Sequence, residues 1–253
     1  MIAKPQDWEE HISISGFFFL PVASDYSPPD DLRNFLIDGD PPIYIGFGSI
    51  VVNDPVSLTL LLIEATKISG VRAVISQGWS DLGLISDEIP PNVLIIGNCP
   101  HDWIFNRVSC AVHHGGAGTT AAAMAAGIPS IIVPFFGDQP FWGKMVARTG
   151  TGPQPIPFKE LTAAKLSAAI VATLQSSVLK QAKAQGASIA RENGVQIGVS
   201  SFHQHILQSK LSCSVSPFYV ATWKIRNTDI RLSACAAAIL IQRNLLDFEK
   251  MEL

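Results

Sequence analysis

The sequence predicts an α/β fold in which a parallel β-sheet is covered by helices on both faces. Three observations carry that prediction. Short β-branched runs alternate with helical stretches from Pro42 to about Gly198. Ile43–Phe47 is an apolar run, as a strand buried on both faces is expected to be. Glycine-rich turns follow the strand ends. Strands separated by helices of this length pair in parallel. At 253 residues, 47% hydrophobic and only 15% charged, the chain can bury a substantial core and is not disordered in general.

The elements are justified in order along the chain. Met1–Pro42 carries Pro5, Pro21, Pro28, Pro29, Pro41 and Pro42, which fix φ and cannot donate hydrogen bonds. This part is expected to be an extended connector with a short helix near Asp30–Leu36. Its aromatic run Phe17-Phe18-Phe19 needs a covering surface, either this domain's own flank or a partner domain outside the chain. Ile43–Phe47 then reads as a buried strand. Asp54–Ser69 reads as a helix with Pro55 near its front, Leu58, Leu61, Leu62 and Ala65 on one face, and Gly70 closing it. Val71–Ser76, Val93–Ile96, Cys110–His113 and Ser130–Pro134 are further strands. Helices are expected at His101–Asn106, Gly118–Ala126, Gln139–Thr149 and Thr162–Leu174. After Gly198 the pattern weakens to a strand and loop over Val220–Ile230 and an Ala/Leu-rich helix over Arg231–Asn244. The organisation expected is a linker-like segment at 1–41, a ligand-binding domain at 42–200, and a C-terminal helical extension at 201–253.

Composition also excludes functions. The formal net charge of −3 offers no electrostatic footprint for nucleic acid. Cys99, Cys110, Cys213 and Cys235 show no CxxC and no paired spacing, which suggests buried thiols in a reducing compartment. Apolar stretches such as Ala234–Ile241 fall far short of the ~20 residues that a membrane span requires. No cationic, apolar leader pattern opens the sequence. A soluble, cytoplasmic chain is the expectation.

The strongest chemistry lies at Val112-His113-His114-Gly115-Gly116-Ala117-Gly118-Thr119-Thr120, where a strand enters and a helix leaves. Glycines Gly115, Gly116 and Gly118 let backbone approach a ligand closely. The free N–H groups of the first helical turn and the helix dipole together favour an anion, such as a diphosphate. Thr119 and Thr120 can add hydroxyls, and His113 can donate to a phosphate oxygen, best when protonated. The plain alternative is that the glycines only permit tight helix–strand packing. A second pattern competes here: Gly116-x-Gly118-x-x-Ala121, with Asp138 about twenty residues on, satisfies a dinucleotide-binding fingerprint. Against it, Asp138 follows a loop instead of ending a strand, and the motif lies several strands into the sheet.

Asp138-Gln139 after Val133–Gly137 suits a polyhydroxyl ligand, the carboxylate accepting and the amide both donating and accepting. Asp138 as a simple N-cap ahead of Pro140 is the competing explanation. Gly46-Phe47-Gly48-Ser49 is a second phosphate-compatible turn. Cys99-Pro100-His101-Asp102-Trp103 offers an aromatic face on which a base could stack, although a lone tryptophan is more often core.

These motifs, with Ser76-Gln77-Gly78-Trp79-Ser80, resemble the nucleotide-sugar-binding half of the GT-B fold. More narrowly they resemble family 1 UDP-glycosyltransferases of the sterol 3-beta-glucosyltransferase type found in fungi. The likeness runs from about Lys4 to Gly198, with a fainter stretch over Val220–Phe248. It implies a Rossmann-like parallel sheet forming one half of the enzyme. His113, the amides of Gly115–Thr120 and Ser49 would hold the UDP diphosphate. Ser76, Gln77 and the Pro100–Trp103 loop would line the uracil site. Asp138 and Gln139 would bind glucose hydroxyls.

Inverting transfer to a sterol or other lipophilic hydroxyl, without metal or cofactor, is the implied reaction, UDP-glucose being the donor substrate. The acceptor site and catalytic base would come from an amino-terminal domain, so no catalytic residue is assigned in this chain. That larger enzyme would have possible peripheral membrane contact, and the C-terminal extension would pack back toward its amino-terminal domain. Relatives often carry a ribose-binding glutamate shortly after the phosphate motif; here Thr120-Ala121-Ala122-Ala123-Met124 holds no acid. A non-catalytic nucleotide-sugar-binding module and a dinucleotide-dependent oxidoreductase remain as the alternative functions.

Overall fold

The structure, a computed structural model, describes residues 2–19, 25–80, 82, 89–206 and 211–252. The connector positions 1 and 20–24 lie outside them. The chain divides into two compact units, one formed by Met1–Ala3 with Gly16–Gly194 and the other by Lys4–Ser15 with Val195–Leu253.

The larger unit is built on a parallel sheet. Helix α1 (Asp30–Ile37) precedes β1 (Ile43–Gly46), followed by α2 (Pro55–Ser69), β2 (Ala73–Ser76) and β3 (Val93–Ile96). A short helix α3 (His101–Ile104) leads to β4 (Ala111–His113), α4 (Ala117–Ala125), β5 (Ser130–Ile132), α5 (Gln139–Arg148), α6 (Ala163–Thr173) and α7 (Ser176–Ile189). Among the described residues the strand order is β3-β2-β1-β4-β5, all parallel. The strands are mostly apolar, Ser76, His113 and Ser130 excepted, because successive residues face two different cores. Ile43, Ile45, Ala73, Ile75 and Val112 pack with Leu58 and Leu62 of α2 and with Leu166 and Ile170 of α6. Tyr44, Val74 and Ala111 face the other way, against Leu32, Ile104, Phe105 and Ala123 of α1, α3, the turn after α3 and α4. The parallel sheet with helices on both faces is therefore as the sequence predicts.

Local chemistry sets the helix limits. Asp54 caps α2 by accepting the Ser57 N–H at 2.9 Å, and Gly70 closes it at φ +67°. Thr162 caps α6 through the Lys165 N–H. Helix α7 and the helix α8 (Gly194–His205) have no counterpart in the sequence reading. α7 buries only Ala182, Gly186 and Ile189, a narrow stripe with one large apolar side chain and so little apolar signal.

In the smaller unit, the described residues of 201–253 hold a strand within the expected Val220–Ile230 and a helix within Arg231–Asn244, together with two further strands. Strands β6 (Trp223–Ile225), β7 (Arg231–Leu232) and β8 (Met251–Glu252) form an antiparallel sheet in the order β7-β6-β8. Helix α9 (Ala234–Gln242) starts at Ser233, whose hydroxyl accepts the Ala236 N–H. Leu232, Ala237 and Met251 form a small core. Cys110 and Cys213 are buried, but Cys235 is exposed and Cys99 half-buried, so the expectation of buried thiols holds for two of the four. No helix among the described residues is long and apolar enough to cross a membrane.

The strand order reverses direction between β1 and β4, which leaves a crevice outside their carboxyl ends where such sheets bind ligands. Registers Gly46↔His113 and His113↔Ile132 bring the ends of β1, β4 and β5 to one edge.

Candidate functional site

Three turns meet at that edge. After β1, Gly48 turns at φ +61° and its carbonyl accepts the Trp79 N–H at 3.0 Å, which ties the β1 turn to the β2 turn. After β4, Gly115 adopts φ +88°; a Cβ there would stand 2.6 Å from Ile132 Cγ2 and 3.1 Å from the Gln139 carbonyl. Only glycine meets both demands, and its place fixes the β4 turn against the start of α5. Helix α4 begins two residues later, at Ala117, with Gly116 as an N-cap that makes no side-chain bond. The leading amides of α4 are therefore uncapped by side chain at the crevice, together with the positive end of the helix dipole.

The two histidines differ. His113 ends β4 with no exposed surface. Its Nδ1 accepts the Gly115 N–H at 3.2 Å, so the neutral ring carries its proton on Nε2, a buried atom with no partner among the described residues. Burial, aided by the nearby imidazoles of His114 and His101, pushes its pKa down to about 3. A protonated His113 facing a phosphate is thus not what the fold provides; its ring supports the turn from inside. His114 is half-buried and stands between two turns: Cβ atoms on Gly48 and Gly116 would lie 3.3 Å from its Cε1 and 2.5 Å from its Nε2. Burial lowers its pKa, and the carboxylate of Asp138 opposes that shift. His114 is the side chain poised over the start of α4, and the sequence reading passed over it because both residues sit in one motif.

The threonines also part company. Thr120 is fully buried and its hydroxyl donates back to the Gly116 carbonyl at 2.9 Å, which takes it away from a ligand. Thr119 is half-buried and Gly118 exposed at the same turn.

At the neighbouring β5 turn, Asp138 does not cap α5. Its Oδ2 accepts the Trp142 indole N–H at 2.8 Å. Gln139 is buried, and its carbonyl oxygen accepts the N–H groups of Phe135 and Phe136 at 2.8 and 3.2 Å. The amide's acceptor therefore shapes the loop, and only its NH2 end is left to meet a hydroxyl group.

Beside the crevice, the β1, β2 and β3 ends enclose a cavity of about 550 Å³. It is lined by Ser49, Ser76, Pro100 and His101, as well as Tyr26, Tyr44, Gly48, Gly78, Trp79, Asn98 and Cys99. At its floor the Tyr44 hydroxyl lies 3.3 Å from His101 Nε2 and is hydrogen-bonded to Ser76. Burial raises the Tyr44 pKa to about 12. His101 stacks on Phe105, with ring centroids 4.8 Å apart at 10°, and burial pushes its pKa down, the nearby His114 adding to the effect. Two residues expected here do not line the cavity. Trp103 has its face covered by the Arg107 guanidinium at 4.0 Å and meets Tyr26 edge-on. Gln77 engages the Ile96 carbonyl and the Leu82 N–H through its backbone. Trp79, 71% exposed, is the tryptophan that lines the cavity, alongside Tyr26 and Tyr44. Among the described residues no cluster of three His, Cys, Asp or Glu is placed to hold a metal ion.

Residues 74–196 match the EryCIII-like C-terminal domain, described as erythromycin biosynthesis protein CIII-like. The chain is 44% identical over 214 residues to the Arabidopsis thaliana protein "Sterol 3-beta-glucosyltransferase UGT80A2", covering 85% of this chain and 33% of that one. It is 41% identical over 206 residues to "Sterol 3-beta-glucosyltransferase UGT80B1" of the same plant, covering 81% and 34%. The chain thus spans about a third of the length of the curated relatives it matches. In fold it is similar to the crystal structure of the glycotransferase of kitacinnamycin, with TM-score 0.59 at 18% identity, covering 75% of this chain and 47% of that one.

Proposed function

We propose, from the match of residues 74–196 to the EryCIII-like C-terminal domain and the likeness to sterol 3-beta-glucosyltransferases, that the chain binds a UDP-sugar, UDP-glucose above all, as donor for transfer to a sterol hydroxyl. One observation carries the reading: the uncapped start of α4 with His114, and the Asp138–Gln139 turn, share a single edge of the sheet. Gly115 locks those two turns together, and the field of Asp138 reaches His114. One nucleotide sugar can then place its diphosphate on the first and its hexose on the second.

In this arrangement the α4 amides and His114 Nε2 meet the diphosphate, with Ser49 and Thr119 beside them. The base enters the cavity between Trp79 and His101, with Ser76 and Tyr44 at its floor. Asp138 accepts hexose hydroxyls while Gln139 donates. As the glycosidic bond breaks, negative charge grows on the departing UDP, and fixed N–H dipoles at α4 favour that charge without reorganising. His114 donates to the diphosphate through Nε2 when that nitrogen carries a proton. Sterols as acceptors are the substrates named for its relatives. We assign donor holding and leaving-group stabilisation to this chain; activation of the acceptor hydroxyl is left to groups outside the site described.

Calorimetric titration with UDP, UDP-glucose and NAD tests the reading, followed by an assay of sterol glucosylation. Binding of UDP and UDP-glucose, with none of NAD, is expected. Tight NAD binding with no response to UDP overturns it.

A further inference from the structure

Asp138 is oriented from outside its own turn. Its Oδ2 takes the indole N–H of Trp142, one helical turn along α5. That indole packs against Phe17, ring centroids 5.7 Å apart at 38°, and Phe17 packs against Phe19 at 6.0 Å. The backbone that delivers Phe17 is itself fixed. Gly16 adopts φ +95°, and a Cβ on it would lie 3.0 Å from Glu192 Oε2; a Cβ on Gly194 would strike the Phe17 carbonyl. Residues 16 and 17 are thus wedged where α7 gives way to α8, and the ring reaches Trp142 from there.

We propose that Phe17 is a positioning residue for the sugar end of the donor: by steadying Trp142 it holds the Asp138 carboxylate, and so sets the preference for hexose-bearing nucleotide over bare nucleotide. The proposal rests on the reading of Asp138 as the acceptor of sugar hydroxyls. The physics is that of preorganisation. A carboxylate at an exposed helix start samples several rotamers, and a sugar must select one of them against water. A charge-assisted bond from an indole holds one orientation only as well as the indole is held, and the Phe17 ring holds it.

The test is calorimetric titration of the full chain and of the W142F, F17A and F17Y variants with UDP and with UDP-glucose. The unaltered chain is expected to bind UDP-glucose more tightly than UDP. W142F keeps a ring against Phe17 but loses the N–H, and should lose about tenfold in UDP-glucose affinity with UDP unchanged. F17A should lose roughly threefold, again for UDP-glucose alone, and F17Y should restore the preference by restoring the ring. Unchanged UDP affinity also reports an intact fold. If F17A and W142F keep the original preference, or weaken both ligands equally, Phe17 does not position Asp138 although the donor site stands. If the unaltered chain binds neither ligand, or both equally, the reading of the sugar site itself fails.

Discussion

The turns after β4 and β5 occupy equivalent places in the same parallel sheet, yet they are built from opposite materials. The β4 turn presents backbone: glycines, a helix start that no side chain caps, and one imidazole lying across it. The β5 turn presents side chains: Gln139 braces the loop amides, and Asp138 is held by an indole. Backbone amides in a fixed cluster suit a diffuse, doubly charged group, which needs many weak donors and no particular orientation. A hexose is neutral and is told from its isomers by hydroxyl direction, which requires acceptors with defined orientation. On the proposed donor reading, the same topological position would serve as an electrostatic site in one case and a stereochemical one in the other.

That contrast breaks most severely at Gly115. Gly115→Ala puts a Cβ into Ile132 and imposes left-handed strain at φ +88°. A loss of about 2–4 kcal/mol in unfolding free energy is expected by urea titration, together with loss of UDP binding, because both turns lean on this residue. A variant that keeps stability and UDP affinity would show that the turns are independent.

The buried imidazole of the β4 turn gives a pH signature. The unfolded chain takes up a proton on His113 near pH 6.5, the folded chain only near pH 3. Between those values the unfolded state holds more protons, so this contribution is complete above about pH 6.5 and fades as pH falls. His113→Gln should flatten the dependence of unfolding free energy by roughly 1 kcal/mol per pH unit between pH 6 and 4. Equal slopes in the two proteins would mean that His113 is solvated in solution.

His114 and Asp138 then separate the two chemistries. His114→Ala should weaken UDP and UDP-glucose alike, by about tenfold, while uridine binding hardly moves. Asp138→Asn should cost UDP-glucose about fivefold and leave UDP as it was. Were both substitutions to act on UDP equally, the division between a charge-binding turn and a hydroxyl-binding turn would disappear.

Much of this was legible in the sequence, for reasons that also set the limits. Apolar runs ending in glycine locate β1, β4 and the crevice, because buried parallel strands and close backbone approach leave few other residue choices. The orientation of side chains was not legible. His113 and His114 are adjacent in one motif, and in a strand buried on both faces no polar alternation says which imidazole points inward. Trp103 and Trp79 look interchangeable as stacking platforms until Arg107 is seen covering the first. The roles of Gln139 and Trp142 depend on loop closure over three and four residues, which spacing alone does not determine.

The smallest effect bears most directly on the contrast. If the β4 turn acts through backbone, a buried hydroxyl there should be dispensable to the ligand. Thr120 donates its hydroxyl to the Gly116 carbonyl, which already accepts the Thr120 N–H at 2.9 Å. Thr120→Val removes the first bond and leaves the second, so no buried acceptor is orphaned and the cost should stay below about 1 kcal/mol. UDP affinity should change less than about twofold, since the leading amides of α4 are untouched. A tenfold loss of UDP affinity with stability intact would mean that the hydroxyl turns outward to the phosphate when ligand arrives. The β4 turn would then be a side-chain site after all, and the two turns would differ in degree and not in kind.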